Sequence, residues 1–253
     1  MAAPPELVSI ITPAFKAARF VDDAIRSAVA QDYPHWEMLI ADDCSPDDTV
    51  ARVEEWAKRD SRIRLIRQPK NAGPAAARNA ALASSSGRYA AFLDSDDWWL
   101  PHKLSRQLEF MRTNAAAVSF TGFRRISENG GQTGRLLQVP GQLTYGQLLG
   151  NTAIATSTVI VDRSVTGPLQ MRHVYYDDFV LWLSLLRRGY VAFGLNEDLM
   201  RYRVVGKSVS RNKTKSAREV WKTYRQIEGL GMLRSAWYFA RYGARGWLKY
   251  SRF

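Results

Sequence analysis

Short apolar runs alternate with helical patterns through the first half of the chain. Four apolar runs predict strands, at 7–12, 37–42, 62–67 and 88–93. Apolar residues spaced three and four apart predict three helices between them, within 19–31, after 47–48 and within 73–87. The third strand alternates basic and apolar residues, so it should lie near a sheet edge. Strand–helix alternation with short connections predicts an α/β fold with a mostly parallel central sheet flanked by helices.

The second half of the chain continues with both kinds of element. The patterns predict a helix at about 101–114, then a strand followed by a hairpin turn at 128–134, and a further strand at 157–163. They then predict an amphipathic helix at 175–190 and two short strands at 190–195 and 199–204. The amphipathic helix opens with Asp177 and Asp178, and acids suit the positive end of a helix dipole.

Polar residues stand where three of the predicted strands end. Thr12 ends the first strand, Asp42 and Asp43 end the second, and the acidic segment 94–97 follows the fourth. Ligands of open parallel sheets collect outside the carboxyl ends of the strands. We therefore expect these side chains to converge on one crevice.

Three carboxylates within four residues need a reason, because like charges this close repel unless a cation lies among them. Asp94, Asp96 and Asp97 could cap the helix that follows, but one acid is enough for a cap. Hard oxygen ligands instead favour Mg²⁺ or Mn²⁺, which bind one or two protein carboxylates together with substrate phosphates. The sequence has no His/Cys cluster of the kind that binds zinc.

The net charge of +12 is concentrated in the C-terminal tail, residues 211–253. The tail holds eleven Lys and Arg against two acids, which is nine of the twelve net charges. This balance indicates an anionic partner, and without a recognition module we do not expect nucleic acid. The single Cys44, the N-terminus without a signal-peptide pattern and the lack of a long apolar run predict a cytoplasmic protein, either free or peripheral on the inner face of the cell membrane.

The tail also has the pattern of an amphipathic helix. An apolar sector and an adjacent cationic sector are formed by Leu233, Ala236, Trp237, Ala240, Ala244, Trp247 and Leu248, and by Arg234, Arg241, Arg245, Lys249 and Arg252. Such a helix can lie on an anionic membrane surface or dock on the rest of the protein, and both remain open.

Several segments together resemble the family 2 inverting glycosyltransferases. The resemblance is carried by "EMLIADDCSPDDT", "NAGPAAARNAAL", "GRYAAFLDSDDWWLPHKL", "YYDDFVLWLSLLRRG" and "LMRYRVVGKSVS", and it covers nearly the whole chain. The most similar subgroup makes bacterial cell-surface polysaccharides, including teichuronic acid. The resemblance implies a Rossmann-like GT-A fold over 1–210, with a nucleotide-sugar half at 1–100 and an acceptor half at 101–210. The tail 211–253 would then be a helical extension.

The resemblance also implies a role for each matching residue. It assigns nucleotide binding to Thr12, Pro13, Asp43, Asn71, Gly73, Arg78 and Asp94. It assigns the metal, Mn²⁺ or Mg²⁺, to Asp96 as direct ligand, with Asp94 towards the ribose and Asp97 in support. Asp178 matches the acceptor-side base. Many relatives have a histidine at the position of Val205, so the diphosphate contacts here are expected from Arg203, Lys207 or Ser208.

The chemistry implied by the resemblance suits these residue types. A metal that neutralises a leaving diphosphate eases the breaking of a sugar–phosphate bond, and a carboxylate can take the proton of an attacking hydroxyl. The expected reaction moves a sugar, with inversion, from a UDP-linked donor to a saccharide or lipid-linked saccharide. Two alternatives remain open: a sugar-nucleotide nucleotidyltransferase, and a non-catalytic module that binds membrane or saccharide.

Each assignment also has a purely structural alternative. Asp43 could cap the turn-rich loop after its strand, and Asp178 could serve only the helix dipole. Arg78 could be a solvated helix residue. Trp98 and Trp99 could stack on sugar or pack in the core.

Overall fold

The computed structural model describes residues 6–206 and 213–250, without the side chains of residues 213 and 246–250. Ten strands form one sheet, and their bounds are β1 Val8–Ala14, β2 Trp36–Asp42, β3 Ile63–Arg67, β4 Tyr89–Phe92, β5 Trp98–Trp99, β6 Val118–Ile126, β7 Thr133–Leu137, β8 Gln142–Leu143, β9 Ile160–Asp162 and β10 Ala192–Arg203. The helices are α1 Val21–Val29, α2 Thr49–Arg59, α3 Pro74–Ala83, α4 Lys103–Thr113, α5 Tyr145–Leu149, α6 Arg163–Thr166, α7 Asp177–Arg187, α8 Lys213–Lys222 and α9 Met232–Tyr250.

The sheet confirms the predicted α/β architecture. Its strand order is β3-β2-β1-β4-β9-β6-β10-β5, with β7 paired to β6 and β8 paired to β10. The first four strands are parallel, and β6 and β10 also pair in parallel. The short strand β9 runs antiparallel between β4 and β6. β3 forms one edge of the sheet, as its alternating sequence predicts.

Two apolar layers cover the two faces of the sheet. One layer packs α1 and α4 against alternate residues of the first strands, including Ile10 and Met38. The other packs α3, α5 and α7 against the opposite residues, including Ile11 and Leu39. Successive residues of a strand point to opposite faces, so strands that are apolar throughout must be covered on both. The loops at the carboxyl ends of the strands remain free to form a site.

The structure differs from the predicted elements at two places. The two short strands expected at 190–195 and 199–204 are one strand, β10, with register shifts around Asp198. The strand expected at 157–163 is only Ile160–Asp162, because a 3₁₀ turn at Thr156–Thr158 precedes it. A bulge keeps a strand continuous where its apolar pattern breaks, and periodicity alone does not reveal this.

The C-terminal helix α9 docks on the rest of the fold with one face only. Its docked face holds Tyr238, Phe239 and Tyr242, which pack against the apolar layer of α5 and α7. The opposite face exposes Leu233 and Trp237, which belong to the predicted apolar sector. Docking therefore uses an aromatic face that the predicted sector did not include. The side chains of Trp247, Leu248, Lys249 and Arg252 lie outside the described residues.

No helix in the described part of the chain combines the length and the apolar character needed to span a bilayer.

Lys103, the first residue of α4, is completely buried, and no hydrogen-bond partner for its amine lies within the described residues. The amine lies 3.8 Å from the centre of the Trp99 ring. Burial lowers the pKa of Lys103 well below its ordinary value near 10.5. The unfolded chain therefore binds a proton that the folded chain releases, so stability should rise with pH between the lowered pKa and 10.5.

We expect Lys103→Met to raise the free energy of unfolding at pH 7 and to flatten its dependence on pH. The wild-type chain should gain about 1.4 kcal/mol per pH unit in the range where only the unfolded chain keeps the proton. Urea denaturation at pH 7, 8 and 9 measures both effects. The control is Lys58→Met, because the Lys58 side chain is 72% exposed on α2. A Lys103→Met chain less stable than wild type at every pH would contradict this account.

Candidate active site

The acidic loop after β4, residues 94–97, is held in place by the hydroxyl group of Ser157. The Ser157 hydroxyl donates to the Asp97 carboxylate at 2.5 Å and accepts a hydrogen bond from the backbone N–H of Asp94 at 3.0 Å. The backbone carbonyl of Ser157 also accepts from the indole N–H of Trp99 at 2.7 Å. Ser157 lies in the 3₁₀ turn between α5 and β9. The loop geometry is therefore set by a segment about sixty residues further along the chain.

Arg78 links the acidic loop to helix α7. Its buried guanidinium donates to Asp94 at 2.6 Å and to Asp177 at 2.8 Å. Burial alone would lower the pKa of Arg78, but the charges of Asp94, Asp177 and Asp178 outweigh it and raise that pKa. Arg78 is thus not a solvated helix residue but the cation between two groups of carboxylates. The contacts join α3, the loop after β4 and the start of α7.

Asp178 lies in the first turn of α7, next to Asp177 and its ion pair with Arg78. One of its oxygens accepts from the hydroxyl of Thr156 at 2.5 Å, and the other accepts from the backbone N–H of Phe179 at 2.6 Å. The side chain is half-buried, whereas Asp177 is buried and faces Arg78. Burial raises the pKa of Asp177 although the Arg78 charge opposes this. The two adjacent acids therefore have different surroundings, and only Asp178 is open enough to meet a substrate.

Asp43 organises the loop that leads into α3. Its two carboxylate oxygens accept from the backbone N–H groups of Ala72 and Gly73, each at 2.8 Å. The side-chain amide of Asn71 donates to the Asp43 carbonyl at 3.1 Å. Gly73 has φ +87°, a conformation that other residues adopt at a cost, so a glycine belongs there. Asp43 therefore caps the loop before α3, whereas in the turn-rich loop after its own strand the backbone N–H of Ser45 donates to Asp42 instead. Binding of a nucleotide base by Asp43 stays a prediction.

The other expected nucleotide contacts lie at the end of β1. Thr12 is completely buried, and no partner for its hydroxyl oxygen occurs within the described residues. Pro13 is half-buried and pairs in register with Ala41 of β2. Both residues lie at the carboxyl edge of the sheet, as the sequence predicts.

Asp96 is the acid of the loop whose carboxylate is not engaged by another side chain in the part of the chain that the structure describes. Burial, followed by the neighbouring charge of Asp94, raises the pKa of Asp96 to about 6. A carboxylate that is hard to ionise alone is a good ligand for a hard divalent cation. Within residues 6–206 and 213–250, no three His, Cys, Asp or Glu side chains come together as a complete metal site. A divalent metal that substrate phosphates help to bind needs only one or two protein carboxylates, and Asp96 can supply one.

The Asp97 side chain is buried in the core. It is 1% exposed, and its two oxygens accept from the Ser157 hydroxyl and from the backbone N–H of Arg203. Burial raises its pKa, and the charges of Asp96 and Asp94 raise it further. These contacts favour the supporting role over direct ligation of a metal. Trp99 is also buried, which favours core packing for that residue.

Arg203 does not present its guanidinium to the crevice. All three of its guanidinium nitrogens donate to protein oxygens, and the side chain lies between the rings of Phe20 and Trp98. The expected diphosphate contact of Arg203 is therefore not supported by the geometry. Lys207 and Ser208 lie outside the described residues.

Sequence reasoning missed three residues that shape this site. Thr156 and Ser157 were expected next to or within a strand, and Asp177 was noted only as a helix-end acid. Their partners are 22 to 99 residues away in the chain. No local pattern indicates such contacts. A Thr-Ser-Thr run before a strand carries no signal of its own.

The chain has relatives of similar length. It is 44% identical over 237 residues, 93% of this chain and 94% of the other, to TuaG of Bacillus subtilis strain 168, a glycosyltransferase named for teichuronic acid biosynthesis. It is 37% identical over 85% of its length, and 84% of the other, to WfgD of Escherichia coli, named as a UDP-Glc:alpha-D-GlcNAc-diphosphoundecaprenol beta-1,3-glucosyltransferase.

Solved structures share the fold at much lower identity. The 1–349 fragment of TarS from S. aureus in complex with UDP-GlcNAc matches with a TM-score of 0.70 at 16% identity, over 96% of this chain and 73% of that one. The mannosyltransferase PcManGT of Pyrobaculum calidifontis, in complex with GDP-Man and Mn²⁺, matches with a TM-score of 0.70 at 17% identity, over 96% and 74%. These likenesses confirm the GT-A fold.

A family model described as "Glycosyl transferase family 2" matches residues 9–170, which include the acidic loop, Arg78 and the loop of Asp43. The sequence, the relatives and the fold agree: the chain belongs to glycosyl transferase family 2 and is a glycosyltransferase.

Proposed function

We propose that this enzyme transfers a sugar from a UDP-linked donor to a lipid-linked saccharide during synthesis of a bacterial surface polysaccharide. The observation that carries the proposal is the arrangement around Arg78. One buried arginine lies between Asp94 of the acidic loop and the acids that open α7. The proposed donor site and the proposed acceptor base would therefore lie side by side at the carboxyl edge of the sheet.

The donor side is built from 1–100 of the chain. The nucleotide would be surrounded by the loop at Asn71 and Gly73, by Arg78, and by the end of β1 at Thr12 and Pro13. Asp43 would hold the loop and reach the base. Asp94 would face the ribose. The names of the B. subtilis and E. coli relatives, and the UDP-GlcNAc in the TarS structure, favour a UDP-linked sugar.

We propose Asp96 as the protein ligand of a divalent metal, Mn²⁺ or Mg²⁺, with Asp97 supporting the loop. When bound with the donor, the metal neutralises charge on the leaving diphosphate. The half-buried, unpaired Asp96 carboxylate fits a hard cation, and the PcManGT structure contains Mn²⁺.

Asp178 would act as the base from the acceptor half, 101–210. The acceptor hydroxyl attacks the anomeric carbon, the bond from that carbon to the diphosphate oxygen breaks, and the hydroxyl proton passes to the Asp178 carboxylate. Attack opposite to the leaving group inverts the anomeric centre in one step. The hydrogen bond from Thr156 holds Asp178 in place. No enzyme nucleophile takes part in this mechanism.

We expect Asp96→Asn and Asp178→Asn to fail in different steps. Asp96→Asn should lose the Mn²⁺-dependent thermal shift with UDP as well as turnover. Asp178→Asn should keep that shift and lower turnover by about 10²- to 10⁴-fold, because only proton transfer is lost. UDP-glucose and GlcNAc-diphosphoundecaprenol, the substrates in the WfgD name, serve as probes, and released UDP is measured.

The control for both variants is Asp48→Asn, an exposed aspartate that immediately precedes helix α2. It should leave binding and turnover unchanged. Turnover that survives in Asp178→Asn would contradict the base assignment. Turnover that survives in EDTA would contradict the metal, and no shift of the wild-type chain with UDP, GDP, dTDP or CMP would contradict the donor site.

The open face of α9 supports an anionic membrane surface as partner of the tail 211–253. Met232, Leu233 and Trp237 are 61%, 87% and 60% exposed, although tryptophan and leucine usually avoid water. Arg241 lies over the Trp237 ring, with Arg234 nearby in sequence. Apolar side chains beside arginines suit the boundary between headgroups and acyl chains. The excess of nine positive charges in the tail attracts anionic headgroups. The enzyme would then work at the cytoplasmic face, where a lipid-linked acceptor can reach it.

We expect the chain to sediment with vesicles containing phosphatidylglycerol and to stay in solution with pure phosphatidylcholine. Leu233→Gln with Trp237→Gln should weaken this binding, because the residues that would insert are gone. Val165→Gln is the control, since Val165 is a 51% exposed apolar side chain away from the tail. Equal sedimentation of the double variant and wild type would mean that charge alone, or another surface, binds the vesicles.

A further inference from the structure

We propose that Arg203 is a positioning residue that holds the acidic loop in the shape a metal-bound donor requires. The inference rests on the proposed function and extends it to a residue that does not touch substrate. Arg203 ends β10, more than one hundred residues after the loop it contacts. It is 4% exposed, so its guanidinium faces protein and not solvent.

Each nitrogen of the guanidinium binds a different element. Nε donates to the backbone carbonyl of Asp96 at 2.9 Å. One terminal nitrogen donates to the carbonyl of Glu128 in the β6–β7 turn at 2.6 Å, and the other donates to the Asp23 carboxylate of α1 at 2.8 Å. The loop is therefore fastened to two further parts of the fold through one side chain.

The backbone of Arg203 makes a second attachment to the same loop. Its N–H donates to the Asp97 carboxylate at 2.9 Å, so the residue binds the loop at two consecutive acids. Asp97 receives its other hydrogen bond from Ser157. With Asp96 held by its carbonyl and Asp97 by its carboxylate, the Asp96 carboxylate itself has no hydrogen bond from another side chain in the described part of the chain.

A lysine cannot replace this arginine. The planar guanidinium donates in three fixed directions, and it lies 4.6 Å from the centre of the Phe20 ring and 4.8 Å from that of Trp98. A lysine amine keeps the charge but cannot reach three separated acceptors from between two rings. Arg203→Lys therefore removes the orientation of the loop and keeps the charge.

The test is the Mn²⁺ concentration at which UDP raises the melting temperature of the whole protein. We expect Arg203→Lys to raise that concentration about tenfold or more, because groups that orient metal ligands typically have effects of this size. UDP binding without metal should stay unchanged. A direct diphosphate contact would weaken UDP binding without metal as well, so this result separates positioning from contact.

Arg201→Lys is the matched control, because Arg201 lies on the same strand and pairs with Asp198, outside the acidic loop. It should keep the wild-type Mn²⁺ requirement. An Arg203→Lys chain that binds Mn²⁺ and UDP like wild type would overturn the inference and leave the proposed function intact. A wild-type chain that shows no Mn²⁺-dependent shift would overturn both.

A second variant keeps the inference testable if Arg203→Lys does not fold. Asp23→Ala removes the acceptor that binds Arg203, and the Asp23 side chain is 41% exposed, so the fold should tolerate the change. The Mn²⁺ requirement should rise by less than in Arg203→Lys but in the same direction. An unchanged requirement in Asp23→Ala would then overturn the inference.

Discussion

The ion pairs of Arg78 hold the candidate site together. The guanidinium is buried between Asp94 and Asp177 and forms an ion pair with each carboxylate. Breaking a buried pair of this kind by removing one partner costs about 3–5 kcal/mol, because a charge is left alone in the interior. The three elements that carry these residues are far apart in sequence. Arg78 therefore joins the acidic loop to the first turn of α7, which carry the residues that we propose for the donor and for the base.

The sequence predicts the fold well, and it predicts that polar residues gather at one edge of the sheet. Strands that are apolar throughout, and acids placed where strands end, specify a covered parallel sheet with a crevice at its carboxyl edge. The structure has this sheet and brings the loops of Asp43, Asp94 and Asp178 to that edge. Gly73 illustrates why local reasoning succeeds there: its φ of +87° is a property of one residue and its neighbours. Patterns that repeat along a strand or helix report burial, which depends on the position of each residue within its own element.

The contacts that orient the acids could not be predicted in this way. Ser157 and Arg203 bind the acidic loop from about sixty and one hundred residues away, and neither stands in a pattern that differs from its surroundings. Arg203 was expected to hold phosphates because Val205 stands where many relatives have a histidine. Its burial between two rings reverses that interpretation, and burial of a single polar side chain is decided by tertiary packing and not by periodicity.

The tail presents the same problem on a larger scale. A helical wheel finds one apolar sector, yet α9 has two apolar faces, of which one is covered and one is exposed. The aromatic face is covered, and the ring centre of Tyr242 lies 6.0 Å from that of Phe179, the residue after Asp178. The face of Leu233 and Trp237 is open. Because the covered face is fixed beside the first turn of α7, a surface bound by the open face would meet the enzyme in one orientation relative to its base. A helix that only anchored the protein would need no contact next to Asp178, whereas a helix that also orients the site for a lipid-linked acceptor would need both faces.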